Sequence, residues 1–285
     1  MEFHTVGVLG SGTMGSGIAQ IIGQSGYRVL LYDIQESIAQ QAVSQIGLRI
    51  DRLVEKGKLT HLDGDQVKKR IEPTVELADM KNCELIIEAV PEKLELKKRL
   101  FRQLGEYCPN ETILATNTSS FSITELASAT QNPGRIAGLH FFNPAYVMPL
   151  VEVVRGLLTE SDIVKALVSF VSSIGKSPVI CEDTPGFIVN RIARPFYNEA
   201  LRILGDRVAN VEQIDRIMRK AGKFRMGPFE LQDMIGIDIN FSTTESVHQA
   251  FFGDPRFRPH YYQQRMMQSG QLGRKTGGGY YAYDK

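Results

Sequence analysis

The chain opens as an alternation of short apolar blocks and longer stretches with helical spacing. Thr5 to Leu9 (TVGVL) is a β-branched, apolar run, and Ser16 to Gln24 follows with Ile18, Ala19, Ile21 and Ile22 on one side of a helix. Tyr27 to Tyr32 predicts the next strand. A long helical pattern then runs from Ser37 to about Leu59 and meets a polar break at His61 to Asp65. Asn82 to Ala89 and Thr112 to Ala115 are continuous apolar strands of the kind buried on both faces of a parallel sheet, with helical spacing from Glu92 to Leu104 between them. The stretches IAGLHFF and LVEVV predict two consecutive strands, followed by a helix from Ser161 to about Ser173 and a last strand over Gly175 to Cys181. Strands alternating with helices in this way predict a Rossmann-type α/β domain on a mostly parallel sheet.

Beyond this point the period changes. Helical patterns cover Ile188 to Leu204, Val211 to Ala221, Phe229 to Ile235, Ile237 to Phe251 and Tyr261 to Ser269, before a polar, glycine-rich tail. The boundary falls near Thr184, dividing an α/β domain at 1–183 from an all-helical domain at 184–285. Asp183 or Thr184 ahead of Pro185 signals a helix start, which would put Asn190 one to two turns inside, and Pro195 should kink that helix.

Charge is balanced, 33 Lys+Arg against 32 Asp+Glu, so no global field points to nucleic acid or to an acidic membrane surface. Cys83, Cys108 and Cys181 are widely spaced, which predicts reduced, buried thiols rather than a disulfide frame or a metal site. The first strand begins almost at once, leaving no room for a signal sequence, and no run reaches membrane-spanning length. A soluble, cytoplasmic protein is expected.

The chemistry concentrates in four places. Gly10-Ser11-Gly12-Thr13-Met14-Gly15 lies between a strand and a helix, the context that makes GxGxxG a dinucleotide fingerprint. Gly10 would make the tight turn, Gly12 would admit the pyrophosphate and Gly15 would let helix and strand pack, with helix amides facing the phosphates. Asp33 ends the second strand where a carboxylate accepts the ribose hydroxyls, and no arginine follows it, so NAD is expected over NADP. The long helix carries Arg49, Arg52, Lys56 and Lys58, with Arg52 and Lys56 one turn apart; this is either a solvated face or a grip for a polyanionic ligand. In Thr116 to Ser120, Ser119 or Ser120 could donate to a substrate oxygen, while the helix after Ser122 needs a cap from the same residue types. Finally, His140 sits in an apolar strand with Glu152 twelve residues on in the next, so a buried His–Glu pair suited to proton transfer can form.

Together, GSGTMGSGIAQ, LYD, IIEAVPE, ATNTSS, GLHFFNPAYVMPLVEV, DTPGFIVNR, MGPFEL and LGRKTGGGYY resemble the L-3-hydroxyacyl-CoA dehydrogenase family along nearly the whole chain, in family order and spacing. The closing part looks most like the bacterial 3-hydroxybutyryl-CoA branch. The resemblance implies an NAD-dependent dehydrogenase of (S)-3-hydroxyacyl-CoA esters that needs no metal. It makes His140 the base and Glu152 its orienting carboxylate, with Ser119 and Asn190 holding the substrate oxygens. It places Thr13, Met14, Asp33, Glu92, Lys97, Asn143 and Lys275 with the glycines around the cofactor, and Arg52 and Lys56 at the CoA phosphates. It also implies a homodimer through the helical domain. The sequence departs from the pattern at Pro149, where relatives commonly carry lysine. The competing readings are a dehydrogenase of a free hydroxy or sugar acid and a non-catalytic NAD-binding protein of the same fold.

Overall fold

The computed structural model describes residues 3–283, so the outermost positions of both predicted domains, 1–2 and 284–285, lie outside the described residues. The chain separates into two compact units, Met1–Thr184 and Pro185–Lys285.

The first unit is an eight-stranded sheet in the order β3-β2-β1-β4-β5-β6-β7-β8. Its strands are β1 (Thr5–Leu9), β2 (Arg28–Tyr32), β3 (Ile71–Thr74), β4 (Leu85–Glu88), β5 (Ile113–Thr116), β6 (Ile136–Phe141), β7 (Leu150–Arg155) and β8 (Ser177–Glu182). All pairings are parallel except β6 with β7. The helices are α1 (Thr13–Gln24), α2 (Glu36–Glu55), α3 (His61–Lys69), α4 (Leu94–Tyr107), α5 (Ile123–Ala127) and α6 (Ser161–Ser173). Val6, Val8, Val29, Leu31, Ile87, Ala115, Leu139 and Val153 from the sheet pack with Ile18, Ile22, Ile46 and Leu167 from the helices in one core. Chain order reverses between β1 and β4, the switch point beyond whose strand ends ligands bind.

Three local expectations change. The polar break at His61 to Asp65 is the first turn and more of α3: Thr60 caps it by accepting from the Asp63 amide at 3.1 Å, and Gly64 and Val67 supply its buried side. A helix with so little apolar surface leaves almost no periodic signal. Strand β3 was likewise illegible, because its four residues, IEPT, include Pro73; a proline is tolerated there because β3 is the edge strand. Asp183 does not start the next helix. Its carboxylate accepts from the Ser122 hydroxyl and the Ile123 and Thr124 amides at 2.7, 3.0 and 2.8 Å, so it holds the N-terminus of α5. Ser122 itself accepts from the Glu125 amide, the cap expected of one of these serines.

The second unit contains α7 (Val189–Gly205), α8 (Val211–Lys220), α9 (Pro228–Ile235), α10 (Ile237–Ala250) and α11 (Tyr261–Gln268). Because α7 begins only at Val189, Asn190 stands in its first turn. The chain reaches it through Gly186 and Phe187, both with positive φ. Helix α7 continues through Pro195. Ala200, Leu201, Ile214 and Phe229 form a small core, against which Tyr280 and Tyr281 pack. The glycine-rich tail is pinned: Asp233 on α9 accepts from the Tyr280 and Tyr281 amides and the Tyr283 hydroxyl, at 2.9, 3.0 and 3.0 Å. A Cβ on Gly279 would stand 2.1 Å from that carboxylate, so nothing larger fits.

Candidate active site

At the β1–α1 turn, Gly10 has φ +92° and would bring a Cβ within 2.7 Å of the Ala89 carbonyl; a Cβ on Gly15 would fall 1.7 Å from the Gly10 carbonyl. Both positions therefore require glycine. Gly12 differs, since a Cβ there would meet nothing within 4 Å, so the space above this backbone is open. Helix α1 starts at Thr13, Met14 is half-buried beside the core, and the first turn of α1 contains no acidic residue. Asp33, at the end of β2, accepts from the Ser11 amide at 3.0 Å and from the Gln35 amide at 3.2 Å, which fixes the carboxylate beside the glycine turn. An open backbone cradle, a helix N-terminus and an adjacent carboxylate fit a dinucleotide's pyrophosphate and ribose.

At the carboxyl ends of β4 and β5 lies a knot of charge, buried at Glu88 and Lys97 and open to solvent at Glu92. Lys97 on α4, 1 % exposed, places its ammonium 2.6 Å from Glu88 and 3.0 Å from Glu92. The other Glu88 oxygen accepts from the Thr116 hydroxyl at 2.6 Å. Glu92 accepts from the hydroxyls of Thr118 and Ser120, at 2.5 and 2.9 Å, and from the Ser119 amide at 3.1 Å. Burial acts to raise the Glu92 pKa, but the Lys97 charge and the bonds from Thr118, Lys97 and Ser120 outweigh it, so this carboxyl lies below its ordinary range. Lys97, expected at the cofactor site, is enclosed with its ammonium on Glu88 and Glu92. Of the two candidate serines, Ser120 commits its hydroxyl to Glu92, whereas Ser119 contributes only its amide to the knot.

His140 and Glu152 are register partners across the antiparallel pair β6–β7, so both side chains rise from one face. Nδ1 of His140 lies 2.6 Å from Oε2 of Glu152; the residues are 6 % and 0 % exposed. The Phe142 ring packs against the imidazole at 4.5 Å between centroids. Asn117 reaches across from the end of β5 and accepts the Phe141 amide at 2.8 Å, tying the hydroxyl-rich turn to the histidine strand. The carboxyl ends of β4, β5 and β6 and the facing part of β7 thus bring Glu88, Glu92, Ser119, His140 and Glu152 to one end of the sheet.

The remaining candidates are placed as follows. Arg52 and Lys56 are exposed one turn apart at the end of α2, and Lys58 is exposed beyond them. Arg49 is not part of that face: it donates to Gln20 at 2.7 Å and lies over the Tyr146 ring, and burial lowers its pKa. Asn143 is exposed in the turn after β6. Pro149 is exposed too, and next to it Lys176 donates to the Met148 carbonyl at 2.8 Å. In the second unit Asn190 is half-buried in the first turn of α7, and Lys275 pairs with both oxygens of Asp238 at 2.6 and 2.7 Å. The three cysteines are free, but only Cys83 is buried; Cys108 and Cys181 are half-buried. Burial pushes the thiols of Cys83, Cys108 and Cys181 to about 12, about 11 and about 12, so none is a reactive thiolate.

Sequence reasoning missed Glu88, Thr116, Thr118, Asn117 and the capping role of Asp183. An acid closing an otherwise buried apolar strand, as in LIIE, is the signal that could have exposed Glu88. Among the described residues there is no cluster of acids, histidines and cysteines able to hold a metal, and no helix is long and apolar enough to cross a membrane.

Family models for 3-hydroxyacyl-CoA dehydrogenases match the chain twice, the NAD binding domain at residues 5–184 and the C-terminal domain at 186–283. A 3-hydroxyadipyl-CoA dehydrogenase of Escherichia coli is 50% identical over 99% of this chain, which spans only 59% of that protein. A 3-hydroxybutyryl-CoA dehydrogenase of Clostridioides difficile is 40% identical, covering 98% of this chain and 99% of the relative. The crystal structure of the (S)-3-hydroxybutyryl-CoA dehydrogenase from Ralstonia eutropha superposes with a TM-score of 0.96 at 40% identity, with all of both chains covered.

Proposed function

The chain belongs to the 3-hydroxyacyl-CoA dehydrogenase family, and from that premise we propose that it oxidises a short-chain (S)-3-hydroxyacyl-CoA, 3-hydroxybutyryl-CoA being the simplest, to the 3-ketoacyl-CoA with NAD, and runs the reverse. The observation that carries the proposal is the buried 2.6 Å contact between His140 Nδ1 and Glu152 Oε2. With the carboxylate accepting from Nδ1–H, proton exchange with the C3 hydroxyl falls to Nε2, and the imidazolium formed on oxidation is stabilised by Glu152. Bound NAD supplies the hydride acceptor. Ser119 and Asn190 would hydrogen-bond the substrate oxygens, orienting C3 and stabilising the developing alkoxide. Glu92, held by Lys97, would line the cofactor site with Asp33, Asn143 and Lys275 and with Gly10, Gly12, Thr13, Met14 and Gly15. Arg52 and Lys56 would take the CoA phosphates. The acyl groups in the relatives' names, butyryl and adipyl, both support a short chain. A cytoplasmic homodimer associating through the helical unit completes the reading.

The test is NADH consumption with acetoacetyl-CoA beside free acetoacetate. Turnover confined to the ester is expected. Turnover of the free acid would favour a hydroxy-acid dehydrogenase, and NADH binding without turnover of either would reduce the chain to a dinucleotide-binding protein.

A further inference from the structure

The turn between β6 and β7 holds an exposed aromatic ring on a firm mount. Tyr146 is 42 % exposed, whereas Ala145 before it is buried against α1. After it, the Val147 and Met148 amides both donate to the Pro144 carbonyl, at 2.9 and 3.0 Å. Helix α1 makes room for the turn with Gly17, where a Cβ would stand 3.2 Å from that of Ala145 and 3.5 Å from Cδ1 of the Tyr146 ring. The guanidinium of Arg49, on α2, lies over the ring, 5.3 Å from its centroid. That guanidinium is itself fixed, since its Nε–H donates to the buried Gln20 side chain at 2.7 Å. One edge of the ring therefore faces α1 and one face lies under a cation, which leaves the other face and the outer edge to carry the exposure.

Both partners pay solvation for this arrangement. The ring and its neighbours Val147 and Met148, 62 % and 38 % exposed, keep an apolar patch in water. Arg49 Nη2 is shielded from solvent and has no hydrogen-bond partner among the described residues. A ring held in this way is a preorganised stacking surface with a cation behind it, and the charge beside it indicates what it stacks. Arg49 bends toward α1, but Arg52, three residues and about 4.5 Å further along α2, projects into solvent, and so does Lys56 one turn beyond. A π-face followed by two exposed cations suits a planar base joined to phosphates.

We propose that Tyr146 is the platform on which the adenine of the CoA ester stacks, with Arg49 holding the ring in place. The inference rests on the dehydrogenase reading above, specifically on Arg52 and Lys56 taking the CoA phosphates. In CoA the adenosine carries a 3′-phosphate and a 5′-pyrophosphate, so base and phosphates arrive together, and the basic pair alone would leave the base unheld. The adenosine of NAD is accounted for beside Asp33 on the same reading. The adenine of the substrate is then the one base without a site, and Tyr146 is an aromatic face without a partner on its outer side.

The experiment exploits a chain that contains no tryptophan. Tyr146→Trp places a single indole on the platform, and its emission should be quenched saturably by CoA and by 3′,5′-ADP, but not by 4′-phosphopantetheine, which lacks the nucleoside. Kinetics give a second readout. Tyr146→Ala should raise KM for acetoacetyl-CoA about 5–20-fold, the lower part of the range for a base stacked on an aromatic ring. Its kcat at saturation and its KM for acetoacetyl-4′-phosphopantetheine should not change, and Tyr146→Phe, which keeps the ring, should match the wild type. An unquenched indole, quenching by NAD in place of CoA, an unchanged KM in the alanine variant, or an equal rise with both esters would overturn the platform and leave the dehydrogenase reading standing. Quenching by CoA in a chain whose wild type turns over no CoA ester would take down that reading and leave the platform in place.

Discussion

Two charge clusters stand at neighbouring strand ends of the first unit, and they are built differently. The knot of Glu88, Lys97 and Glu92 spreads one cation over two carboxylates and adds donors from Thr116, Thr118, Ser119 and Ser120. The His140–Glu152 pair joins an imidazole by one ring nitrogen to one carboxylate, with an aromatic ring alongside. The first arrangement fixes charge, since its ammonium is held between two carboxylates. The second is suited to moving a proton, because a histidine changes charge in that range and its partner stabilises the charged form. On the proposed function, one cluster is a brace and the other a working part.

Removing a member of each should separate those roles. Lys97→Met strands Glu88 and Glu92 and should cost ~3–5 kcal/mol of unfolding free energy in denaturant titration; a loss below ~1 kcal/mol would mean the knot is not a brace. Glu152→Gln should show the opposite profile, with stability changed by less than that and kcat lowered about 10²-fold, because an amide donating to Nδ1 would impose the wrong tautomer on His140. Wild-type turnover in this variant would show that Glu152 only fills space. Smaller still is the effect at the exposed basic pair: Arg52→Ala with Lys56→Ala should raise KM for acetoacetyl-CoA roughly tenfold and leave KM for a pantetheine ester unchanged. Equal effects on both substrates would exclude phosphate contact.

The smallest effect is on pH dependence. Because the folded Glu92 pKa is depressed, its contribution to stability is present above the unfolded value near ~4.3 and is lost as pH falls through the folded value. The stability gap between wild type and Glu92→Gln should therefore narrow below about pH 4.5, and since Glu92 is partly exposed the gap should be under ~1 kcal/mol throughout. A gap that widened in acid would reverse the sign argued for Glu92.

The brace and the working part were unequally legible in the sequence. His140 and Glu152 each interrupt an apolar strand, and a short turn between two strands can place them opposite one another, so the pair followed from spacing. The glycine turn and Asp33 were legible for the same reason, being local. The knot depends on α4 passing over the ends of β4 and β5, and nothing local announces that Lys97 is buried rather than solvated. Asp183 likewise looked like a cap for the helix after it, when tertiary proximity commits it to α5, sixty residues earlier in the chain. Strand β3 and helix α3 escaped because short, polar elements at a sheet edge carry almost no periodicity. Arg49 was misassigned to the basic face because spacing on a helix does not show which lysines and arginines fold inward.

The most direct test is the rate of NADH oxidation with acetoacetyl-CoA by His140→Gln, measured beside NADH affinity from fluorescence titration. Turnover should fall by about 10²–10⁴ with NADH affinity close to wild type. Near-normal turnover in the folded variant would contradict the assignment of His140 as the proton-transfer group, and with it the central claim about how this site works.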